Sequence, residues 1–191
     1  MAKSVESQNL RSRIRRDRRR RTARGVFRLI LVLALAALTS YLFFSSVIVQ
    51  ESSMSPTLEN GDRVFINRLA YAVTGVRRGD VIAYRSRSSI DTGIHIKRVV
   101  GLPGETVQIR DGLILINGST YIESKDFPNI TNAGLAAEGV TLGSDEYFVL
   151  GDNRNNSEDS RFADVGNIGR ETILGKVWFR PQPLRSVGFV R

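Results

Sequence analysis

The chain has no cysteine and a single histidine, His95, in 191 residues. The first absence removes disulfides and thiolate metal sites, although it does not choose a compartment, since an extracytoplasmic domain of this size can do without bridges. The second leaves zinc with one nitrogen ligand and only carboxylates beside it. It also leaves a Ser-His-Asp hydrolase with one candidate base, and His95 has neither a G-x-S-x-G elbow nor an evident triad partner. A lone histidine in a strand is more often structural than catalytic. Basic excess is absent from most of the chain as well. The net charge is +9, and residues 1–28 hold eleven basic residues against two acidic ones, so residues 29–191 carry 17 of each sign. The folded part therefore has no basic footprint for nucleic acid.

Charge is missing altogether from residues 29–49, LILVLALAALTSYLFFSSVIV. As a helix these 21 residues span about 31 Å, the thickness of a bilayer core. The arginine-rich residues 1–28, poor in apolar side chains, predict a disordered basic cytoplasmic tail, and 29–49 a transmembrane signal anchor. By the positive-inside rule, residues 50–191 form an extracytoplasmic domain. A tail that binds nucleic acid is the sharper alternative, but orientation of the anchor accounts for the same arginines. A cleavable signal peptide opens in the same way. The run is longer than a signal core of about 7 to 15 residues and lacks a small-x-small exit.

Beyond Leu58 the pattern changes to short β-branched runs separated by turn residues, at 63–67, 80–85, 94–100, 106–110, 113–117, 146–150 and 173–179. Asp111-Gly112 and Asn117-Gly118 have hairpin-turn chemistry, and the first joins two of those runs directly. This predicts a mainly β ectodomain, with short helices where Pro56 follows Ser55 and at 69–73. Residues 127–142 have no clear period and read as a surface excursion.

Several stretches could carry chemistry. Asp91-Thr92-Gly93 spells the aspartic-protease triplet, yet after Ser88-Ser89 it also reads as a polar loop entering a strand. The loop from Gly151 to Arg161 is rich in carboxylates and amides. Measured against a calcium loop it fails, because Arg154 and Ser157 occupy positions for a ligand and a glycine, and interleaved Asp and Arg suit a hydrogen-bonded clamp instead. In Ile94-His95-Ile96-Lys97-Arg98-Val99-Val100, strand alternation puts Lys97 on one face with His95 and Val99, and Arg98 on the other. One of these adjacent cations must face inward or into a cleft. A lysine taken out of water loses its proton more easily and can act as a general base. An exposed strand lysine with a snorkelling stem is the plain alternative.

Three stretches together carry a resemblance: Ser53-Met54-Ser55-Pro56-Thr57-Leu58; then Ile96 to Glu105, IKRVVGLPGE; then Gly151-Asp152-Asn153-Arg154 with Ser157, Asp159, Ser160 and Arg161. Their order, spacing and position after an apolar amino-terminal run resemble the sequence boxes of type I signal peptidases, over residues 47–179. The resemblance implies a membrane-bound serine endopeptidase of a bacterial plasma membrane, single-pass and with its catalytic domain outside. Its substrates would be preproteins, cut after small residues at the first and third positions before the cleavage site. Ser53 matches the family's nucleophile, Lys97 its neutral general base, and Ser157 the hydroxyl that orients the lysine. Asp152, Arg98, Asp159 and Arg161 match buttressing positions. No metal or organic cofactor is implied, the partners expected are preproteins and the lipid bilayer, and the expected state is monomeric. Met54 and Pro56, apolar and next to the anchor, are candidates for lipid contact. Mitochondrial inner-membrane peptidases, an inactive β-domain and cytosolic self-cleaving repressors are the competing classes. The trio of Ser53, Lys97 and Ser157 argues against the second, and the apolar run against the third.

One position departs from the family pattern. Two residues before the nucleophile one branch has a serine whose hydroxyl joins the oxyanion hole, and others have glycine; here it is Glu51. A carboxylate about 4 Å from a developing oxyanion would repel it by roughly 4 kcal/mol at an effective dielectric of 20, about what a good oxyanion donor contributes. The expectation is that Glu51 turns to solvent or to an arginine, leaving the Ser53 N–H, helped by Ser52, to hold the oxyanion.

Overall fold

The structure, a computed structural model, describes residues 2–86 and 93–190. It falls into two units, a long amino-terminal helix and a β domain that begins at Phe44.

Helix α1, Ala2–Phe43, starts well inside the predicted tail and stops before the apolar run does. Arginine ranks among the good helix formers, so a run of arginines continues a helix that an apolar segment has established. Within α1, the 22 residues Arg19–Ser40 are long and apolar enough to cross a membrane. The end of the apolar run behaves differently. Its last residues form strand β1, Phe44–Ile48, paired antiparallel with β2, Arg63–Asn67, in the register Ser46↔Phe65 and Ile48↔Arg63. Phe44, Val47 and Ile48 are aromatic or β-branched residues that favour extended backbone once a partner strand is offered, and Ser45 and Ser46 are weaker helix formers than the leucines and alanines before them. The predicted boundary at residue 49 thus moves back, and Val49 is a buried core residue of the β domain.

The remaining strands follow the predicted runs. They are β3 (Val81–Arg85), β4 (Ile94–Gly101), β5 (Thr106–Arg110), β6 (Leu113–Ile116), β7 (Ser119–Thr120), β8 (Val140–Thr141), β9 (Glu146–Leu150), β10 (Ile168–Gly169), β11 (Ile173–Gln182) and β12 (Gly188–Phe189). The larger sheet runs β1-β2-β11-β3-β4-β9-β10, with β12 on β11, and the smaller runs β7-β6-β5-β8. Asp111-Gly112 and Asn117-Gly118 all have positive φ, as type I′ turns need, and they close the β5–β6 and β6–β7 hairpins. Helix α2, Leu69–Thr74, matches the prediction at 69–73. The predicted helical turn at Pro56 is instead an irregular turn with a cis Ser55–Pro56 bond, closed by one Leu58 N–H to Met54 carbonyl bond of 2.9 Å. Nor is 127–142 a plain surface excursion. It contains a 3₁₀ turn, Gly134–Ala137, and strand β8, and buries Ile130, Ala136 and Leu142 under the smaller sheet.

Two registers set the functional geometry. Strand β4 lies between β3 and β9, with Lys97 opposite Ile82 and His95 opposite Tyr84 on one side, and Arg98 opposite Leu150 on the other. Leu150 ends β9, so the next residues, Gly151 and Asp152, are delivered beside Arg98. On the other side of the core, Val49, Met54 and Leu58 pack with Val64, Ile66, Val81, Ala83, Ile96 and Val177. Burying apolar side chains of this size stabilises by about 1.5–3 kcal/mol each, which fixes the Ser53 turn to the sheet. Met54 is therefore core and not the lipid contact expected of it, whereas Pro56 is exposed. Asp91 and Thr92, and with them the aspartic-protease reading, lie outside the described residues.

Candidate active site

Ser53 sits on a turn held at both ends. Before it, the Val49 N–H donates to the Asp62 carbonyl and the Gly61 N–H donates to the Val49 carbonyl, both at 2.8 Å. After it, the Ser53 carbonyl accepts the Asn153 N–H at 3.0 Å, and the Asn153 side chain donates to the Ser52 carbonyl at 3.2 Å. The turn and the loop beyond β9 approach so closely that a Cβ on Gly151 would lie 2.5 Å from the Ser53 carbonyl oxygen and 2.2 Å from the Ser157 hydroxyl. Only a residue without a side chain fits there.

Lys97 reaches the turn from β4. Its side chain is 2% exposed, and its Nζ lies 2.6 Å from Ser53 Oγ and 2.9 Å from Glu51 Oε2. Ser53 Oγ donates to the same carboxylate oxygen at 3.0 Å. The other oxygen, Glu51 Oε1, is 2.6 Å from His95 Nδ1, and Tyr84 lies against the imidazole with ring centroids 5.6 Å apart. The hydrogen bond from His95, reinforced by the charge of Lys97 and opposed by partial burial, brings the Glu51 carboxyl down to about 2. Glu51 is therefore ionised at neutral pH, and as an acceptor it requires the imidazole proton to be on Nδ1.

The second cation of β4 has a separate counter-ion. Arg98 makes a bidentate pair with Asp152, Nε to Oδ1 at 2.7 Å and Nη2 to Oδ2 at 2.6 Å, and its Nη1 donates to the Gly79 carbonyl. Asp159 pairs with Arg161 at 2.7 and 2.8 Å and also accepts the Gly151 N–H at 3.0 Å. Ser160 Oγ accepts the Val149 N–H. An open cleft of about 830 Å³ runs past this constellation, with Glu51, Ser53, His95 and Ser157 in its wall.

The family model for signal peptidase, peptidase S26, matches residues 22–181. Signal peptidase I T of Bacillus subtilis (strain 168) is 36% identical over 155 residues, 77% of this chain and 78% of its own. The chain belongs to the peptidase S26 signal peptidase family. It is a hydrolase, of the serine endopeptidase class. Signal peptidase I of Leptolyngbya laminosa is 37% identical over 146 residues, 73% of this chain and 70% of its own. A solved signal peptidase I from Enterococcus faecalis V583 is 33% identical, covering 53% of this chain and 96% of that one with a TM-score of 0.44.

In this family member Ser53 and Lys97 come together, and Asp152, Arg98, Asp159 and Arg161 form the clamp behind them. Two sequence expectations fail. Glu51 turns neither to solvent nor to an arginine, because the serine hydroxyl, the lysine and the histidine offer an ionised carboxylate three donors within 3.0 Å. Ser157 is not bonded to Lys97: its hydroxyl is buried and without a hydrogen-bond partner among the described residues. Glu51 takes the place beside the lysine that the family pattern gives to a hydroxyl. Sequence reasoning also missed Arg154, which is 1% exposed, pairs with Glu123 at 2.5 and 2.6 Å, and lies 4.1 Å from the centre of the Phe127 ring. Arg98 flanks the same ring at 5.5 Å. No spacing in the sequence links Arg154 to Glu123; the signal was only that an arginine inside a predicted clamp needs a counter-ion.

Proposed function

We propose that this protein is a bacterial signal peptidase I, which removes amino-terminal signal peptides from exported preproteins with Ser53 as nucleophile and Lys97 as general base. The observation that carries the reading is the contact of 2.6 Å between Lys97 Nζ and Ser53 Oγ in a buried setting. A hydroxyl becomes an effective nucleophile when a base within hydrogen-bond reach removes its proton as the new bond forms. In the working state, neutral Lys97 takes the Ser53 proton while Oγ attacks the scissile carbonyl. The Ser53 N–H, which makes no hydrogen bond among the described residues, donates to the oxyanion with help from Ser52. The ammonium of Lys97 then gives its proton to the departing amine, leaving an ester on Ser53. Lys97, neutral again, activates the water that hydrolyses the ester and releases the second product.

The Ser157 hydroxyl lies in the same cleft wall as Ser53, buried and without a hydrogen-bond partner among the described residues. The Arg98–Asp152 and Arg161–Asp159 pairs hold the loop that carries Ser157 against the Ser53 turn. The apolar part of α1 anchors the protein in the plasma membrane, with the arginines on the cytoplasmic side and residues 44–191 outside. The enzyme acts as a monomer on substrates with small residues at the first and third positions before the cut. Incubating the detergent-solubilised protein with a preprotein tests the proposal: cleavage after a small-x-small site by the wild type and none by Ser53→Ala is expected. No cleavage by the wild type, or equal cleavage by both, would reject it.

A further inference from the structure

The hydrogen bonds around Ser53 run opposite to the reaction just described. Lys97 donates to Ser53 Oγ, and the Ser53 hydroxyl donates to Glu51 Oε2. The serine proton is therefore turned to the carboxylate and away from the lysine that has to accept it, and the same carboxylate sets a negative charge 2.9 Å from Nζ. The same carboxylate oxygen lies 3.0 Å from Ser53 Oγ, the atom that has to turn to the substrate carbonyl. Both effects require Glu51 to move before acylation.

The structure provides for that movement. Val49 and Ser53 are tied by backbone bonds, but among the described residues Glu51 between them is held only through its side chain, by His95, Lys97 and Ser53. That side chain is 38% exposed beside the cleft, whereas Lys97 is enclosed. Among the described residues, the other titratable or charged groups that line the cleft are Tyr84 and Arg85 from β3 and Glu158 and Asp164 from the loop after β9. None of these makes a hydrogen bond to Glu51. Its hold rests on His95, which binds the carboxylate oxygen that Lys97 and Ser53 do not.

Resting on the Ser53–Lys97 reading, we propose that Glu51, held by His95, is a self-inhibiting positioning residue. It keeps a carboxylate against Lys97 and the Ser53 hydroxyl turned away from the lysine until a substrate peptide entering the cleft displaces it. Peptide main chain brings its own donors and acceptors, so it can replace the carboxylate's contacts as well as crowd it out. A free enzyme in this state would not attack nearby backbone at random.

The test is the pH dependence of kcat/KM for preprotein cleavage in the wild type, Glu51→Gln, Glu51→Ser and His95→Phe, with thermal melts to show that each is folded. Glu51→Gln and Glu51→Ser should move the acid limb to lower pH by about one unit, raising kcat/KM on that limb about tenfold, and should converge with the wild type above it. His95→Phe should act in the same direction and less. An acid limb that stays in place or moves upward in both Glu51 variants overturns the inference. So does a loss of kcat beyond about a hundredfold in folded Glu51→Gln, which would make the carboxylate the acceptor of the serine proton. If the wild type cleaves and depends on Ser53 and Lys97 while the limb does not move, this inference alone fails. If the wild type does not cleave, the Ser53–Lys97 reading fails with it.

Discussion

Lys97 and Arg98 are neighbours on one strand, both are buried, and each touches a carboxylate, yet they are held in different ways. Arg98 has a counter-ion of its own, Asp152, which is fully buried, bidentate and delivered by the register of β9. Lys97 shares Glu51 with His95 and Ser53, and Glu51 lies at the wall of an open cleft. A buried cation with an equally buried, two-point partner is locked, because neither ion can leave without stranding the other. A buried cation whose partner is half-exposed can be switched. Adjacent residues thus divide the work of holding the site and operating it.

The hardest test of that division is at Lys97. Lys97→Ala should lower cleavage at least about a thousandfold, as should Ser53→Ala, and Lys97→Arg should restore nothing, since a guanidinium keeps its proton at any working pH. Melting temperatures should change little beside that loss; a fully active Lys97→Arg would end the comparison. The converse holds at Asp152. Asp152→Ala strands Arg98 and should cost about 3–5 kcal/mol of stability, measured by denaturant unfolding, with activity lost through unfolding. Breakage of the docking between the Ser53 turn and the loop after β9 comes next. Gly151→Ala puts a methyl group 2.2 Å from Ser157 Oγ and should cost about 1–3 kcal/mol, and in the fraction still folded it should lower kcat by displacing Ser53.

The smallest effect concerns acid. The Glu51 carboxyl goes from 4.5 to about 2 on folding, so its contacts stabilise the protein above about pH 4.5 and that contribution disappears as pH falls through 2. Melting temperatures of wild type and Glu51→Gln should differ at pH 6 and converge near pH 2. A difference that persists at pH 2 would show that Glu51 acts through packing and not through charge.

Most of the β domain was legible in the sequence because its strands are short, β-branched and separated by turns with their own chemistry. Asp111-Gly112 could close only a tight hairpin, and 106–110 and 113–117 had to flank it. The end of α1 was not legible, because Phe44 to Val49 is as apolar as the membrane segment before it, and only pairing with β2 makes it strand. The candidate site divides along the same line. Ser53, Lys97 and the Asp–Arg clamp stand in local boxes, so they could be read. Glu51, His95 and Lys97 converge through the packing of the Val49–Ser53 segment on β4, and a clash predicted from charge alone sent Glu51 outward. Three donors pointing at one carboxylate exist only in the folded chain.

Strand β1 acts as a ruler. Its five residues are counted off against β2, and the chain leaves that pairing at Val49 with only Gln50, Glu51 and Ser52 before Ser53. Because side chains alternate between faces, a slip of one residue along β1 would bring Ile48 where Val49 belongs and shift the turn that follows by one place. A single-residue insertion within β1 would therefore misaddress the Ser53 hydroxyl while Ser53, Lys97 and Glu51 all remained present. The end of the apolar run that reads as membrane anchor thus also encodes, through its length, which way Ser53 faces.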